Sequence, residues 1–208
     1  MENSNQAGGY EEGYASCNCF WGKSPGSLVK AFIESRPTLD GIRVLDLGCG
    51  EGKNSAALAR SGASVVAVDC SSQALANGRR AFPSEEIEWH LSDAHSYLTT
   101  SDSFDVIVLY GLLHCLISPA EVKSLVQLAL KKTTMGGHHS LVSFNDGPHD
   151  LSAHPGFSPT LLPHGFYLQQ YSEQRILAQS NSVIHEIHPH NHIPHFHSLT
   201  RLFVRKEK

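Results

Sequence analysis

The sequence is short of charge and of long apolar runs. Only 17% of its 208 residues are Asp, Glu, Lys or Arg, while 40% are hydrophobic. That balance excludes wholesale disorder, and the length suffices for one domain with a sizeable core. No apolar run reaches the ~18 residues of a membrane span, so no membrane partner is expected. The opening Met1-Glu2-Asn3-Ser4-Asn5-Gln6 lacks the basic and apolar regions of a secretory signal. The five cysteines are an odd number without framework spacing. They fit a reducing, cytoplasmic setting better than a disulfide scaffold. Lys and Arg total 16 against 20 Asp and Glu, a formal net charge of -4, whereas a general nucleic-acid binder is basic. What the chain has in excess is histidine. Protonating all 14 would move the charge from -4 to +10 (-4 + 14), so surface charge changes steeply below about pH 7.

Residues 1–23 form a polar arm carrying Tyr10, Tyr14, Phe20 and Trp21, either a loose terminus or a flap over a ligand. Residues 24–208 are expected to form one domain. Ser24-Pro25 looks like an N-cap followed by proline at the first helical position, with Leu28, Val29 and Phe32 as the apolar face and Pro37 marking the end. Strands are expected at 43–47, 64–68, 87–91, 104–109 and 139–144. Helices are expected at 54–60 and from Ser71 or Ser72 to about Arg80, and after the capping box Ser118-Pro119-Ala120-Glu121. Gly136-Gly137 looks like the end of that last helix. Strands alternating with helices give an α/β fold with a doubly wound, mostly parallel sheet, whose ligands bind at the carboxyl ends of the strands. Residues 145–164, rich in proline and histidine, break the rhythm and suggest a lid. A short helix is expected around Ser172 to Ile176, and a closing antiparallel hairpin over 182–205 with its turn near Pro189 to Pro194.

The informative segment is Val44-Leu45-Asp46-Leu47-Gly48-Cys49-Gly50-Glu51-Gly52-Lys53-Asn54. An apolar strand ends in an acid, and a glycine-rich turn opens a helix, so the backbone can approach a ligand closely. Asp69 ends the second strand, where a carboxylate can take both hydroxyls of a ribose. The spacing is G-x-G-x-G rather than the G-x-G-x-x-G of dinucleotide sites. An acid at position 46 would repel a pyrophosphate and suit a ligand bearing an amine. A nicotinamide dehydrogenase is therefore disfavoured.

This arrangement resembles the class I S-adenosyl-L-methionine (SAM)-dependent methyltransferases, whose first motif is D/E-x-G-x-G-x-G, over roughly residues 24–144. The resemblance implies a Rossmann-like, seven-stranded sheet with a C-terminal antiparallel hairpin, SAM as methyl donor and S-adenosyl-L-homocysteine (SAH) as product. It implies that Asp46 and the backbone of Gly48, Cys49, Gly50, Gly52 and Asn54 hold the methionine end, and Asp69 the ribose. Cys70 and Ser71 would flank the adenine, Asp93 and Ala94 of Ser92-Asp93-Ala94 would contact it, and Tyr110 would lie near the sulfonium. No Asn/Asp-Pro-Pro-Tyr/Phe motif follows the fourth strand, where Tyr110-Gly111-Leu112-Leu113 stands instead. Phe20-Trp21-Gly22-Lys23 and the C-terminal His-x-His-Ser-Leu-x-Arg-Leu-Phe-Val-Arg-Lys further resemble small bacterial methyltransferases of the tellurite-resistance type. That likeness would put Trp21 and Lys23 near a small-molecule substrate.

His185, His188, His190, His192, His195 and His197 crowd into thirteen residues. Their spacing matches no standard zinc motif, and no metal is assigned. His192, His195 and His197 are candidates for binding the substrate, the plainer reading being a solvated turn. His114, after the fourth strand, is either a base acting on the methyl acceptor or a core histidine. The expected reaction is in-line displacement of the methyl group by an oxygen, nitrogen, sulfur or chalcogen-oxyanion nucleophile. The alternative is a non-catalytic regulatory protein that binds SAM or metal through the histidine cluster.

Overall fold

The computed structural model describes residues 10–188 and 191–208. A seven-stranded sheet runs through it in the order β3-β2-β1-β4-β5-β7-β6. The strands are β1 (Arg43–Leu47), β2 (Ser64–Asp69), β3 (Ile87–Leu91), β4 (Phe104–Tyr110), β5 (Thr133–His149), β6 (Arg175–Ile187) and β7 (Pro194–Arg205). β1 to β5 are parallel, and β7 pairs antiparallel with both β5 and β6. The helices are α1 (Glu11–Ser16), α2 (Ser27–Glu34), α3 (Lys53–Arg60), α4 (Ser72–Ala81), α5 (Ala94–Thr100), α6 (Pro119–Lys131) and α7 (His164–Gln170). This is the expected fold class.

Both faces of the central strands are covered, which is why β1, β2 and β4 are near-continuous apolar runs. The pleat divides them. Leu45, Leu47, Ile107 and Leu109 pack with Leu98 of α5 and with Val122, Leu125, Val126 and Ala129 of α6. Val44, Val65, Val106 and Val108 pack with Val29 and Phe32 of α2 and Leu58 of α3. Each fully buried leucine or valine contributes about 1.5–3 kcal/mol. Leu109→Ala, in the middle of the larger core, would cost about 2–5 kcal/mol.

Several boundaries differ from the sequence reading, each for a local reason. α2 begins at Ser27 with Gly26 as its N-cap, not at Ser24. A Cβ on Gly26 would lie 2.2 Å from Cζ of Tyr110, so the chain threads beneath that ring before the helix can start. Gly136 and Gly137 lie inside β5 rather than ending α6. They occupy a bulge between the Phe104–Thr133 and Val106–His138 pairs, where a Cβ on Gly137 would meet the Asp105 carbonyl at 2.7 Å. α5 was not expected. Its start is made by Asp93, whose Oδ1 accepts from the Ser96 N–H at 2.8 Å. The helix expected near Ser172 lies earlier, at His164–Gln170, and β6 begins at Arg175.

The segment expected as a lid over 145–164 is strand as far as His149, because β5 continues its pairing with β7 through His149 and His197. The loop proper occupies 150–163. Of the arm, residues 10–23 are described, and Tyr10, Tyr14 and Phe20 are buried. They pack with Ala74 of α4, which brings the arm over the carboxyl ends of β1 and β2. Residues 1–9, together with Pro189 and His190, lie outside the described residues. Among the described residues no helix is long and apolar enough to cross a membrane.

Candidate active site

The strand ends of β1 to β4 open into a cavity of about 410 Å³, walled on one side by Tyr10, Tyr14 and Trp21 of the arm. Gly48, Gly50 and Gly52 all have positive φ, at 64°, 55° and 76°, which an ordinary side chain disfavours. The first two turn the chain across the cavity floor. A Cβ on Gly50 would stand 3.0 Å from the Tyr14 hydroxyl, so the arm closes on the turn as tightly as glycine permits. Gly52 lies off the wall and lets Trp89 pack, since its Cβ would meet that ring at 2.3 Å.

Asp69 sits on the wall. Its Oδ2 accepts from the Gly50 N–H at 2.7 Å and its Oδ1 from the Ser71 N–H at 2.8 Å. Burial holds this carboxyl above its ordinary range, against those two hydrogen bonds. Cys49, Asn54, Cys70, Asp93, Ala94 and Tyr110 also line the cavity. Burial pushes the Cys49 thiol up and that of Cys70 to about 11, so neither is a thiolate near neutral pH. Ser71 lies behind the wall, where it caps α4 by accepting from the Ala74 N–H at 3.0 Å.

Asp46 is a correction. It is 1% exposed and does not line the cavity. The β1 pleat puts it on the same face as Val44, toward α3, where its Oδ2 accepts from the Ser55 hydroxyl at 2.6 Å. Burial raises its carboxyl to about 7, against that hydrogen bond. The structure supplies a different acid. Glu51, inside the glycine motif, lines the cavity and is 3% exposed. Its Oε1 accepts from the Cys19 N–H and from Asn77 Nδ2, both at 2.9 Å, while its buried Oε2 finds no donor among the described residues. With Asp69, Asp93, Glu121 and Glu186 against Lys53 and Arg201, the lining is acidic overall and suits a cation.

Of the substrate candidates, Trp21 lines the cavity, and its Nε1–H donates to the Tyr14 hydroxyl at 3.1 Å. Lys23 is exposed and off the cavity. Lys53, not singled out in the sequence, is there instead. Its Nζ donates to the Trp21 carbonyl at 3.2 Å, tying arm to α3, and burial lowers its ammonium while Glu186 raises it. His192 is exposed at the turn, with φ of 54°. His195 and His197 are buried beside the cavity rather than on its wall.

His114 lines the cavity and is 2% exposed. Its ring stacks on Phe144 at 4.0 Å and 2°. Its Nδ1 accepts from the Phe144 N–H at 3.1 Å, so the neutral ring carries its proton on Nε2, which points to the Tyr10 hydroxyl at 3.5 Å. Burial, with His197, His149 and His154 nearby, lowers its pKa to about 3. The one lone pair of this ring is already used by a backbone donor. The geometry therefore speaks against the base and gives a hydrogen-bond donor facing the cavity.

Next to the cavity a second group assembles that the sequence reading did not unite. His154 of the 150–163 loop, Glu186 and His188 at the end of β6, and His195 of β7 place one ligand atom each within 4.8 Å of one another. Signals for it existed in the sequence only as separate histidine-rich segments.

Residues 44–137 match the family described as Methyltransferase domain. A demethylmenaquinone methyltransferase from Beutenbergia cavernae is 34% identical over 143 residues, which are 68% of this chain and 54% of that protein. Among solved structures, TehB from Haemophilus influenzae matches with a TM-score of 0.73 at 20% identity, over 88% of this chain and 62% of that one. The N-methyltransferase NodS from Bradyrhizobium japonicum, in complex with SAH, matches with a TM-score of 0.62 at 16% identity, over 95% of this chain and 98% of that one. At these identities the structural likeness shows the fold alone. The chain spans 35%, 54% and 43% of the lengths of three curated relatives that it matches.

Proposed function

We propose that this chain, a class I SAM-dependent methyltransferase by its domain at 44–137, moves a methyl group from SAM to a small-molecule nucleophile by in-line displacement. The observation that carries the reading is the convergence of four strand ends on one acidic cavity, with Asp69 beside the glycine turn. A cavity of about 410 Å³ fits a ligand of nucleoside size and leaves room for only a small second molecule.

The residues fit this donor. In this reading the Asp69 carboxylate takes the ribose hydroxyls, and Asp93 and Ala94, at the start of α5, meet the adenine, with Cys70 beside it. The backbone of Gly48 to Gly50 takes the methionine end, and the negative charge of Glu51 beside it attracts the amine, the part expected of Asp46. When bound, SAM supplies an electrophilic methyl group whose departure leaves a neutral thioether.

The chain contributes alignment and exclusion of water. Tyr110, held against Gly26, orients the reacting end. Tyr10, Trp21 and Phe144 close the acceptor end. The His114 Nε2–H is directed at the Tyr10 hydroxyl, which leaves the Tyr10 O–H to donate to the acceptor atom and hold it in line. No base is required of an acceptor that arrives as an anion, and chalcogen oxyanions and thiolates meet that condition.

The test is incubation of the protein with methyl-labelled SAM and selenite, tellurite or small thiols, reading label in the acceptor together with SAH formation. Transfer to one class supports the reading. SAH-tight binding with no transfer to any small nucleophile favours the regulatory alternative.

A further inference from the structure

We propose that His154, His188, His195 and Glu186 bind one divalent transition-metal ion, with His197 as an adjoining ligand. The inference stands on the histidine cluster and does not rest on methyl transfer.

The distances carry it. His154 Nε2 lies 3.2 Å from His195 Nε2, 3.2 Å from His188 Nε2 and 3.3 Å from His197 Nε2. Glu186 Oε1 lies 3.5 Å from Nε2 of His195 and of His197. Four nitrogens around a tetrahedral ion at zinc–imidazole length stand about 3.3 Å apart. All four imidazoles are buried, at 8% exposure or less.

Among the described residues, hydrogen bonding between neutral rings does not account for this approach, because the far sides of two rings fix their tautomers. His195 Nδ1 lies 2.8 Å from the Ile193 carbonyl, to which it donates, leaving a lone pair on Nε2. His149 Nε2 donates to the Asn145 carbonyl at 2.6 Å, so His149 Nδ1 must accept from His197 Nδ1 at 3.2 Å. That leaves His197, too, with its lone pair on Nε2. Both lone pairs face His154 Nε2, where a single proton can serve one contact. A cation at the centre satisfies all of them. The carbonyls of Ile193 and Asn145, the latter through His149, are the outer partners that orient metal-binding imidazoles.

Imidazoles with one carboxylate and no thiolate select Zn²⁺, Ni²⁺, Co²⁺ or Cu²⁺ rather than Mg²⁺ or Ca²⁺. The ligands come from three places, the 150–163 loop, the end of β6 and the start of β7, so an ion would tie the loop to the hairpin. Glu186 belongs both to the cluster and to the cavity wall, and His197 stacks at 4.2 Å on Phe144, which lines the cavity. The ion would thus fix the wall at the acceptor end. No spacing rule reveals such a site, since His154 and His188 are 34 residues apart.

The test is calorimetric titration of the chelator-treated full chain with Zn²⁺, with Co²⁺ absorption as a second readout. One equivalent should bind, with intense visible Co²⁺ bands of a four- or five-coordinate site. His195→Ala and His154→Ala should each weaken binding by about 100-fold, and Glu186→Gln by about 10-fold, whereas His185→Ala, on the exposed part of the same hairpin, should change nothing. Circular dichroism of each variant identifies any that fails to fold, and Glu186→Gln keeps the side-chain volume. Binding well below one equivalent, or equal weakening by His185→Ala and His195→Ala, would overturn the site. SAH titration of the same samples separates the two readings, because loss of SAH binding alone leaves the metal site intact.

Discussion

The two ends of the cavity were built by different rules. At the glycine-turn end, consecutive residues do the work: Gly48, Gly50 and Glu51 lie within four positions, and Asp69 joins them from the neighbouring strand through one hydrogen bond to Gly50. Beside the other end, His154, Glu186, His188, His195 and His197 come from a loop, from β6 and the residue after it, and from β7. Local backbone geometry fixes the first. Tertiary packing alone assembles the second. A site of the first kind can be read from a motif, and one of the second kind only from a structure.

The sharpest way to separate the ends is Asp69→Ala. It should weaken SAH binding by about 100-fold or more, roughly 3 kcal/mol for lost charge-assisted hydrogen bonds. Zn²⁺ stoichiometry should not change, and Asp69→Asn should lose less because its one oxygen can still accept from either Gly50 or Ser71. Calorimetry with both ligands checks this, and a coupled loss would merge the two ends into one site.

A comparable effect should appear in stability at Asp46, whose carboxyl is raised to about 7 by burial, despite Ser55 and with Asp69 and Lys53 nearby. The unfolded chain ionises it near 4. Between those values the unfolded state has released a proton that the folded state keeps, so stability falls as pH rises from about 4 to 7 and levels above. Asp46→Asn removes that loss, on the order of 4 kcal/mol at most. Thermal unfolding of the two proteins at pH 5 and 8 measures it, and parallel pH curves would show that Asp46 is ionised in the fold.

At His114 the expected change is smaller. His114→Phe, which deletes the donor, should lower kcat about 10-fold, roughly 1.4 kcal/mol, whereas His114→Gln, which keeps an N–H and cannot titrate, should lower it less. The wild-type rate should show no inflection from this histidine between pH 5 and 8, since its pKa is lowered to about 3. An inflection near 6.5 that Gln abolishes would restore the base. Smallest of all, Lys23→Ala and His192→Ala should leave SAH affinity and turnover within about 2-fold, as both side chains are exposed and off the cavity.

The sheet was legible because strand, acid and glycine turn are contiguous, and for the same reason most residues expected to hold the donor line one cavity. Periodicity placed β1 and β3 at their observed bounds. Asp46 went astray for a reason of one residue: the pleat turned it to the α3 face, and only Ser55 reveals this. Lys53 and Glu51 stand inside the motif, yet nothing in it directs them rather than Lys23 and Asp46 to the cavity, because a motif names types and not directions. The bulge in β5 hid behind two glycines that equally suit a helix end. His154 was invisible as a partner of His195, since nothing in sequence relates a loop to the far side of a hairpin.

The most direct measurement of the central claim is calorimetric titration of the unmodified chain with SAH, with and without a chelator. Micromolar binding at one site in both buffers is the expected result. No binding in either buffer would contradict the account, because the acidic cavity and its glycine turn would then serve another ligand.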